Sequence, residues 1–169
     1  PGVGAGLHTV NVRLSAAQVA RTLAHAESEV VFAGSEFVSL VDEAAADLPG
    51  VRARIVLDGE APDGWQSYED LLAGEASGAP LTEVEEDAAA GLCYTSGTTG
   101  EPKGVLYSHR ALALHTMAIC LPDGFNLGEV DTILPAVPMF HANAWGLPYA
   151  AAMTGAGLVL PGPRPSAER

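Results

Sequence analysis

Apolar and polar positions near the start of the chain follow the pattern of an amphipathic helix. Ser15 and Gln18 have the spacing of a capping box, which predicts a helix that runs from there to about Ala26. Leu14 and Val19 occupy the two positions of a hydrophobic staple, which sets the direction in which the chain enters a helix. The start of this helix is therefore well marked.

Short apolar runs and helical segments then follow one another. The run 29–32 predicts a strand, and Ser35 is expected to cap a second helix that continues through Asp47. Residues 51–57 predict a further strand, and residues 67–72 predict a short helix. Strands that alternate with helices across short turns are typical of crossover connections, so we expect an α/β fold with a mostly parallel sheet flanked by helices.

The composition is that of a folded protein with an internal boundary. Apolar residues make up 48% of the 169 residues and charged residues 17%, a balance that excludes a disordered chain or a coiled coil. Residues 74–82 have the small and proline-containing composition of an exposed connection. We therefore divide the sequence into segments 1–82 and 83–169 of one domain.

The distribution of charge restricts the class of partner. The formal net charge of −13 opposes binding to nucleic acid or to an anionic membrane surface. Residues 1–90 contain 16 of the 21 acidic residues and four of the eight basic residues. A site for an anion is therefore expected in the second half of the chain, and the acidic cluster at 83–87 is interpreted as a solvated surface.

Cysteine usage and the uncharged stretches indicate the environment of the protein. Cys93 and Cys120 lie in apolar segments without the spacing of a metal site, which predicts buried thiols in a reducing compartment, by default the cytoplasm. Residues 132–163 carry no charge, but prolines and His141 interrupt them, so we expect buried core and no transmembrane segment. The first residues do not have the pattern of a secretory signal, and the sequence is expected to begin within a longer protein.

One loop in the second half has the composition of a polyphosphate site. Lys103, the only lysine of the chain, follows Pro102 at the end of this loop and is suited to placing a positive charge on phosphate oxygens. Glycines permit backbone N–H groups to converge on an anion, and hydroxyls add further donors. Four hydroxyl residues and three glycines lie in or next to the loop: Thr95, Ser96, Thr98, Thr99, Gly97, Gly100 and Gly104.

The residues of this loop also bear on two alternative interpretations. The spacing is not that of a Walker A loop, because a glycine follows Lys103 and a strand, predicted at 105–107, follows the glycine. An ordinary P-loop ATPase is therefore disfavoured. A glycine-rich hairpin turn that binds nothing stays open, although it explains the hydroxyls and the lysine less well.

The loop and three other segments resemble a known family. The sequence YTSGTTGEPKG at 94–104 resembles the phosphate-binding signature of the adenylate-forming superfamily, which includes acyl-CoA synthetases, luciferases and adenylation domains. Residues 137–163, beginning VPMFHANAWGLP, are similar to the medium- and long-chain fatty acyl-CoA synthetases of that superfamily. Residues 8–14 and 107–115 resemble the same branch, so the likeness covers nearly the whole chain.

This resemblance implies a reaction and roles for particular residues. Enzymes of the family use ATP and Mg²⁺ to convert a carboxylic acid to an acyl-adenylate, which coenzyme A then converts to an acyl-CoA. Lys103 and His141 are the implied catalytic residues, and Trp145 is the implied gate of a fatty-acid tunnel. Thr95 is also the implied contact of the metal ion. The implied nucleotide-binding residues are Thr95, Ser96, Gly97, Thr98, Thr99, Gly100, Lys103, His141 and Ala142.

Simpler interpretations stay open beside these roles. His141 and Trp145 have core packing as their alternative. Ser108 is expected to cap a helix that runs through Cys120. The other four histidines are interpreted as structural, and Asp131 as a turn residue. No metal cluster of histidines, cysteines and carboxylates is apparent in the sequence. The four histidines are His8, His25, His109 and His115.

The resemblance also implies that the chain is part of an N-terminal domain, with the family's C-terminal domain absent. Segment 1–82 is then an α/β sub-domain segment, and segment 83–169 carries the phosphate loop and the acyl pocket. The expected function is part of an ATP-dependent fatty acyl-CoA ligase, inactive by itself, with fatty acid, ATP and coenzyme A as partners and a homodimer left open. Two alternatives are a non-catalytic α/β binding or assembly module and an adenylate-forming enzyme for another carboxylic acid.

Overall fold

The computed structural model describes residues 2–76, 78, 81–95, 102–160 and 162. Its elements are, in chain order, β1 Leu7–Thr9, α1 Ala16–His25, β2 Val30–Ala33, a 3-10 helix Ser35–Phe37, α2 Val38–Ala45, β3 Ala53–Val56, β4 Gln66–Ser67, α3 Tyr68–Ala73, β5 Ala89–Thr95, β6 Lys103–Ser108, α4 His109–Cys120, β7 Thr132–Ile133, α5 Ala142–Trp145, α6 Leu147–Thr154 and β8 Gly157–Leu158.

The chain divides into two compact units. One unit is Val10–Leu81, and the other combines Pro1–Thr9 with Thr82–Arg169. The sequence boundary at residue 82 assigned the first nine residues to the first segment. In the structure they belong to the second unit, because β1 pairs in parallel with β5, with Leu7 opposite Gly91.

The unit Val10–Leu81 is built on a parallel sheet in the order β2-β3-β4. Its core holds buried side chains of α1, such as Val19 and Leu23, together with Val56 of β3 and Trp65. The predicted capping box is present, since the backbone N–H of Ser15 donates to Oε1 of Gln18 at 3.0 Å. The predicted first helix is thereby confirmed.

The predicted cap at Ser35 is wrong. The helical segment opens with a 3-10 turn, and neither this turn nor α2 has a side-chain cap. The carboxylate of Asp58 accepts two hydrogen bonds from Ser35, one from its backbone N–H at 2.6 Å and one from its hydroxyl at 3.3 Å. A serine side chain that binds this carboxylate is not available to the helix N-terminus.

The second unit contains the sheet β1-β5-β6 and the pair β7-β8. Helix α4 begins as its sequence predicts, with the Ser108 hydroxyl accepting the backbone N–H of Ala111 at 3.1 Å. Strand pairs between described residues are parallel except β5 with β6, so the α/β class is confirmed, with the strands in small separate sheets. Within the described ranges, no helix has both the length and the apolar character needed to cross a bilayer.

Candidate active site

Strands β5 and β6 bring the two ends of the phosphate-type loop together. They pair in antiparallel register, and the last pair of the ladder is Thr95 opposite Lys103. Both residues are exposed, and the Thr95 hydroxyl lies 3.5 Å from the Lys103 carbonyl oxygen. The predicted site residues Ser96, Gly97, Thr98, Thr99 and Gly100 lie outside the described residues.

Strand β5 is anchored in the interior of its unit. Ala90, Gly91 and Cys93 are buried, and Cys93 is only 1% exposed. On the neighbouring strand, a Cβ atom at Gly104 would lie 3.2 Å from Cδ1 of Leu92 and 3.4 Å from the ring of Tyr94. A glycine at this position therefore permits β6 to approach β5 closely, directly beside Lys103.

The segment that follows His141 has an unusual backbone. Ala142, Asn143, Ala144 and Trp145 have φ values of 47°, 51°, 52° and 56°, so α5 is one turn of left-handed helix. Residues with a Cβ atom rarely adopt this conformation, and a run of them is rarer still, because each costs roughly 1–2 kcal/mol. The surrounding structure must hold such a turn in place, and strain of this kind clusters at functional sites.

Two side chains hold the left-handed turn to neighbouring elements. The Sγ atom of Cys93 in β5 donates to Oδ1 of Asn143 at 3.2 Å, and both side chains are buried. The Nε2 atom of His115 in α4 lies 3.2 Å from the carbonyl oxygen of Trp145. The turn is thereby attached to β5, the strand that leads into the loop, and to α4, the helix that follows β6.

The predicted nucleotide and acyl residues lie at the two ends of this turn, with His141 directly before it and Ala142 and Trp145 as its first and last residues. His141 and Ala142 are exposed, and Trp145 is 48% exposed. Neither His141 nor Trp145 is buried among the described residues, and their site roles stay predictions. The indole of Trp145 is large, apolar and about half exposed, so it can contact an apolar ligand.

Burial shifts the pKa of three titratable groups of this unit in the direction that favours the neutral form. Burial lowers the pKa of His8 to about 4, and the ring centroids of His8 and Tyr94 lie 5.2 Å apart. Burial raises the pKa of Tyr94 and that of Tyr149, where the nearby Cys93 thiol adds to the effect. At neutral pH the His8 imidazole is therefore uncharged, and both tyrosines keep their phenolic protons.

The described residues fit a magnesium ion only through a single protein oxygen. No group of three or more histidines, cysteines and carboxylates is assembled in the described ranges. The exposed Thr95 hydroxyl offers one hard oxygen, and Mg²⁺ commonly retains waters and takes its other ligands from substrate phosphates. Thr95 therefore fits a metal bound together with a nucleotide, and its metal contact stays a prediction.

Sequence reasoning did not identify Asn143, Cys93 or His115 as residues of this site. Asn143 lies between two alanines in HANAW, and only the tolerance of asparagine for positive φ hinted at a special backbone. Cys93 was expected only to be buried, which it is. Nothing in the sequence indicated that a thiol fifty residues away would hold the turn.

Comparison with known proteins identifies the family. Residues 1–169 match the family described as AMP-binding enzyme. The chain is 52% identical over 164 residues to a long-chain-fatty-acid–CoA ligase of Thermus thermophilus, covering 97% of this chain and 30% of that protein. It is 47% identical over 169 residues to a medium-chain-fatty-acid–CoA ligase of Ectopseudomonas oleovorans, covering 96% of this chain and 31% of that protein.

The fold agrees with these relatives. A fatty acyl CoA synthetase of Mycobacterium tuberculosis superposes with a TM-score of 0.78 at 27% identity, over 93% of this chain and 29% of that chain. The chain thus spans about 30% of the length of the relatives it matches. The resemblance carried by residues 94–104 and 137–163 is confirmed, and the chain belongs to the AMP-binding enzyme family.

Proposed function

We propose that the complete polypeptide that contains this chain is an ATP-dependent fatty-acid–CoA ligase. The observation that carries the proposal is the register of Thr95 with Lys103, which places the sole lysine and a hydroxyl at the two ends of the glycine- and hydroxyl-rich loop. The relatives named above, a long-chain and a medium-chain ligase, support a fatty acid as the substrate. The activity is proposed for the complete polypeptide, since the match covers only about 30% of each relative; the 169 residues alone are proposed to be inactive.

In the first step, a fatty-acid carboxylate attacks the α-phosphorus of ATP. A bond forms between a carboxylate oxygen and the phosphorus, and the bond to the β-phosphate oxygen breaks, so pyrophosphate leaves with the electron pair. Lys103 and the donors of 95–100 are proposed to stabilise the charge on the departing phosphates. Mg²⁺ bound at Thr95 would neutralise further phosphate charge.

In the second step, the sulfur of coenzyme A bonds to the acyl carbonyl carbon, the bond from that carbon to the phosphate oxygen of AMP breaks, AMP leaves with the electron pair, and the thiol proton passes to solvent. His141 is proposed to donate a hydrogen bond to an oxygen of the acyl-adenylate, and Ala142 to offer its backbone to the nucleotide. Trp145 is proposed to gate the apolar site for the acyl chain. The exposure of these three residues on one short segment supports their access to ligands.

The test is product analysis with the complete polypeptide. Medium- and long-chain fatty acids, benzoate and an amino acid are each supplied with ATP, Mg²⁺ and coenzyme A, and acyl-CoA, AMP and pyrophosphate are measured by mass spectrometry. Fatty acyl-CoA formation is the expected result. Activity with benzoate or the amino acid alone would favour an adenylate-forming enzyme for another acid, and no product with any acid would favour a non-catalytic binding module.

Two further proposals concern the setting of the enzyme. A cytoplasmic location is supported by the two cysteines, which are both free thiols. A homodimer stays a prediction, and sedimentation of the complete polypeptide tests it. Nucleic acid is not proposed as a partner, because the net charge of −13 opposes it.

A further inference from the structure

The interior of the second unit contains a directed chain of polar side chains that the reaction itself does not use. Cys93 donates its single S–H to Oδ1 of Asn143. The Thr9 hydroxyl lies 3.3 Å from the same sulfur, so Thr9 must be the donor in that contact. The chain of hydrogen bonds therefore runs from β1 through β5 to the left-handed turn α5.

Asn143 is held by shape as well as by this hydrogen bond. Its side chain is 1% exposed, and its Nδ2 atom lies against Gly91, where an added Cβ would come within 2.8 Å. Real Cβ atoms essentially never approach another atom so closely, and the buried amide has little room to move. Gly91 and Cys93 thus form a receptor on β5 that accepts asparagine.

A backbone preference alone does not explain Asn143. Asn126 has the same φ of 51°, but it is exposed, as expected for an asparagine that only tolerates a left-handed turn. Asn143 is buried instead, and among the described residues its Nδ2 group has no hydrogen-bond partner. An unsatisfied buried amide costs about 1–3 kcal/mol, so Asn143 does more than satisfy a φ angle.

We propose that Asn143 is a positioning residue that locks the left-handed turn onto β5. It thereby sets the position of the Trp145 side chain in the acyl site. The inference rests on the proposed function, because it concerns the acyl site of that reaction. Strand β5 ends at Thr95, so the same receptor fixes the turn relative to the strand that enters the phosphate-type loop. Loss of the Asn143 side chain should change acyl selection more than ATP use.

The first arm of the test measures whether the receptor holds Asn143, without using activity. Asn143→Gly keeps the backbone conformation and removes the side chain. Asn126→Gly is the matched control, with the same change at the same φ. Iodoacetamide labelling of Cys93 in the complete polypeptide, read by peptide mass spectrometry, should be about tenfold faster in Asn143→Gly and unchanged in Asn126→Gly, because the thiol loses its cover. Equal labelling rates in the two variants would overturn the lock.

The second arm measures acyl selection. We expect Asn143→Gly to raise the fatty-acid KM by about tenfold and to alter the chain-length profile, with the KM for ATP changed much less. Cys93→Ser keeps a donor for Oδ1 of Asn143, so this variant should retain more of the wild-type chain-length profile than Cys93→Ala. Faster labelling of Cys93 with an unchanged fatty-acid KM and profile would reduce Asn143 to a structural role and overturn the positioning claim.

The third arm uses the close approach of Gly91. Gly91→Ala in the wild type should raise the labelling rate of Cys93 and the fatty-acid KM, because the new Cβ meets Nδ2 of Asn143. In the Asn143→Gly background, the same substitution should change both quantities little. Additive effects would overturn the receptor. Wild-type protein that makes no acyl-CoA would overturn the proposed function, and the lock would then be decided by the labelling of Cys93 alone.

Discussion

The Nε2 atom of His115 lies 3.2 Å from the carbonyl oxygen of Trp145, and the ring of the same histidine packs over Gly146. Helix α4 therefore holds the C-terminal end of the left-handed turn, while Asn143 holds its interior. A Cβ atom at Gly146 would lie 2.8 Å from Cδ2 of His115, and Gly146 has a φ of 74°. The close approach of His115 and the positive φ both favour glycine here.

Gly146→Ala is therefore expected to destabilise the protein more than a change of φ alone would. Gly155→Ala is the matched control, since Gly155 has a φ of 78° but its nearest neighbour would be 3.7 Å from the new Cβ. We expect the free energy of unfolding to fall by about 1 kcal/mol at Gly155 and by roughly 1–3 kcal/mol more at Gly146. Urea unfolding measures both. In a His115→Ala background the excess should disappear, and its persistence would contradict the packing of His115 on Gly146.

Lys103→Ala in the complete polypeptide is expected to reduce acyl-adenylate formation by roughly 10²–10³-fold, because it removes the positive charge at the start of β6 that is proposed to stabilise the departing phosphates. Pyrophosphate exchange with ATP measures this step. Lys103→Arg keeps the charge and is the control, with an intermediate loss expected. Pyrophosphate exchange at the wild-type rate in Lys103→Ala would contradict the proposed role of Lys103 at the phosphate site.

Trp145→Ala in the complete polypeptide is expected to broaden the chain-length profile or raise the fatty-acid KM, with a smaller effect on the KM for ATP, because it removes the half-exposed indole that is proposed to gate the acyl site. Trp145→Phe keeps an aromatic ring and should lie closer to the wild type. Steady-state kinetics over a series of fatty acids tests this. An unchanged acyl profile with a lower unfolding temperature would make Trp145 a packing residue.

Local signals in the sequence predicted the local structure. The capping box at Ser15 and the cap at Ser108 correctly placed the starts of α1 and α4, because the donors and acceptors concerned lie three residues apart. The cap at Ser35 was wrong for the opposite reason. Its competitor, Asp58, lies 23 residues away, and nothing near Ser35 indicates it.

Non-local structure could not be predicted in the same way. The pairing of Leu7 with Gly91 joins residues far apart in sequence, so it moved the first nine residues into the second unit without a local signal. The motif at 94–104 predicted the loop, and the antiparallel strands at its two ends are present. The left-handed turn was missed because positive φ at Ala142 or Trp145 has no counterpart in residue type.

Stability is expected to decrease as the pH falls from about 6.5 to about 4, partly because of His8. Burial lowers the pKa of folded His8 to about 4, whereas the ordinary value is 6.5. Within this window the unfolded chain binds a proton that the folded protein does not, so protonation favours unfolding, and the effect levels off below pH 4. His8→Gln should show a shallower fall of the urea midpoint in this window than the wild type, with the exposed His25→Gln as the control. Equal slopes in His8→Gln and the wild type would contradict the burial of a neutral His8.

Asp42 in α2 is expected to contribute more to stability than an exposed ion pair of the same unit. Its Oδ1 atom accepts from Nη1 of Arg54 at 2.7 Å and from Nε1 of the buried Trp65 at 2.9 Å. Asp42→Ala leaves the indole N–H without this acceptor, so the free energy of unfolding should fall by about 1–3 kcal/mol.

The control for Asp42 is Glu29, whose carboxylate pairs with Arg52 at 2.7 Å while both side chains stay more than half exposed. Water screens this pair, and Glu29→Ala should cost about 0–1 kcal/mol. Urea unfolding of the two variants, followed by far-UV circular dichroism, measures the difference. Equal losses would mean that the indole N–H finds another acceptor when Asp42 is removed, and the special role of Asp42 in this core would be refuted.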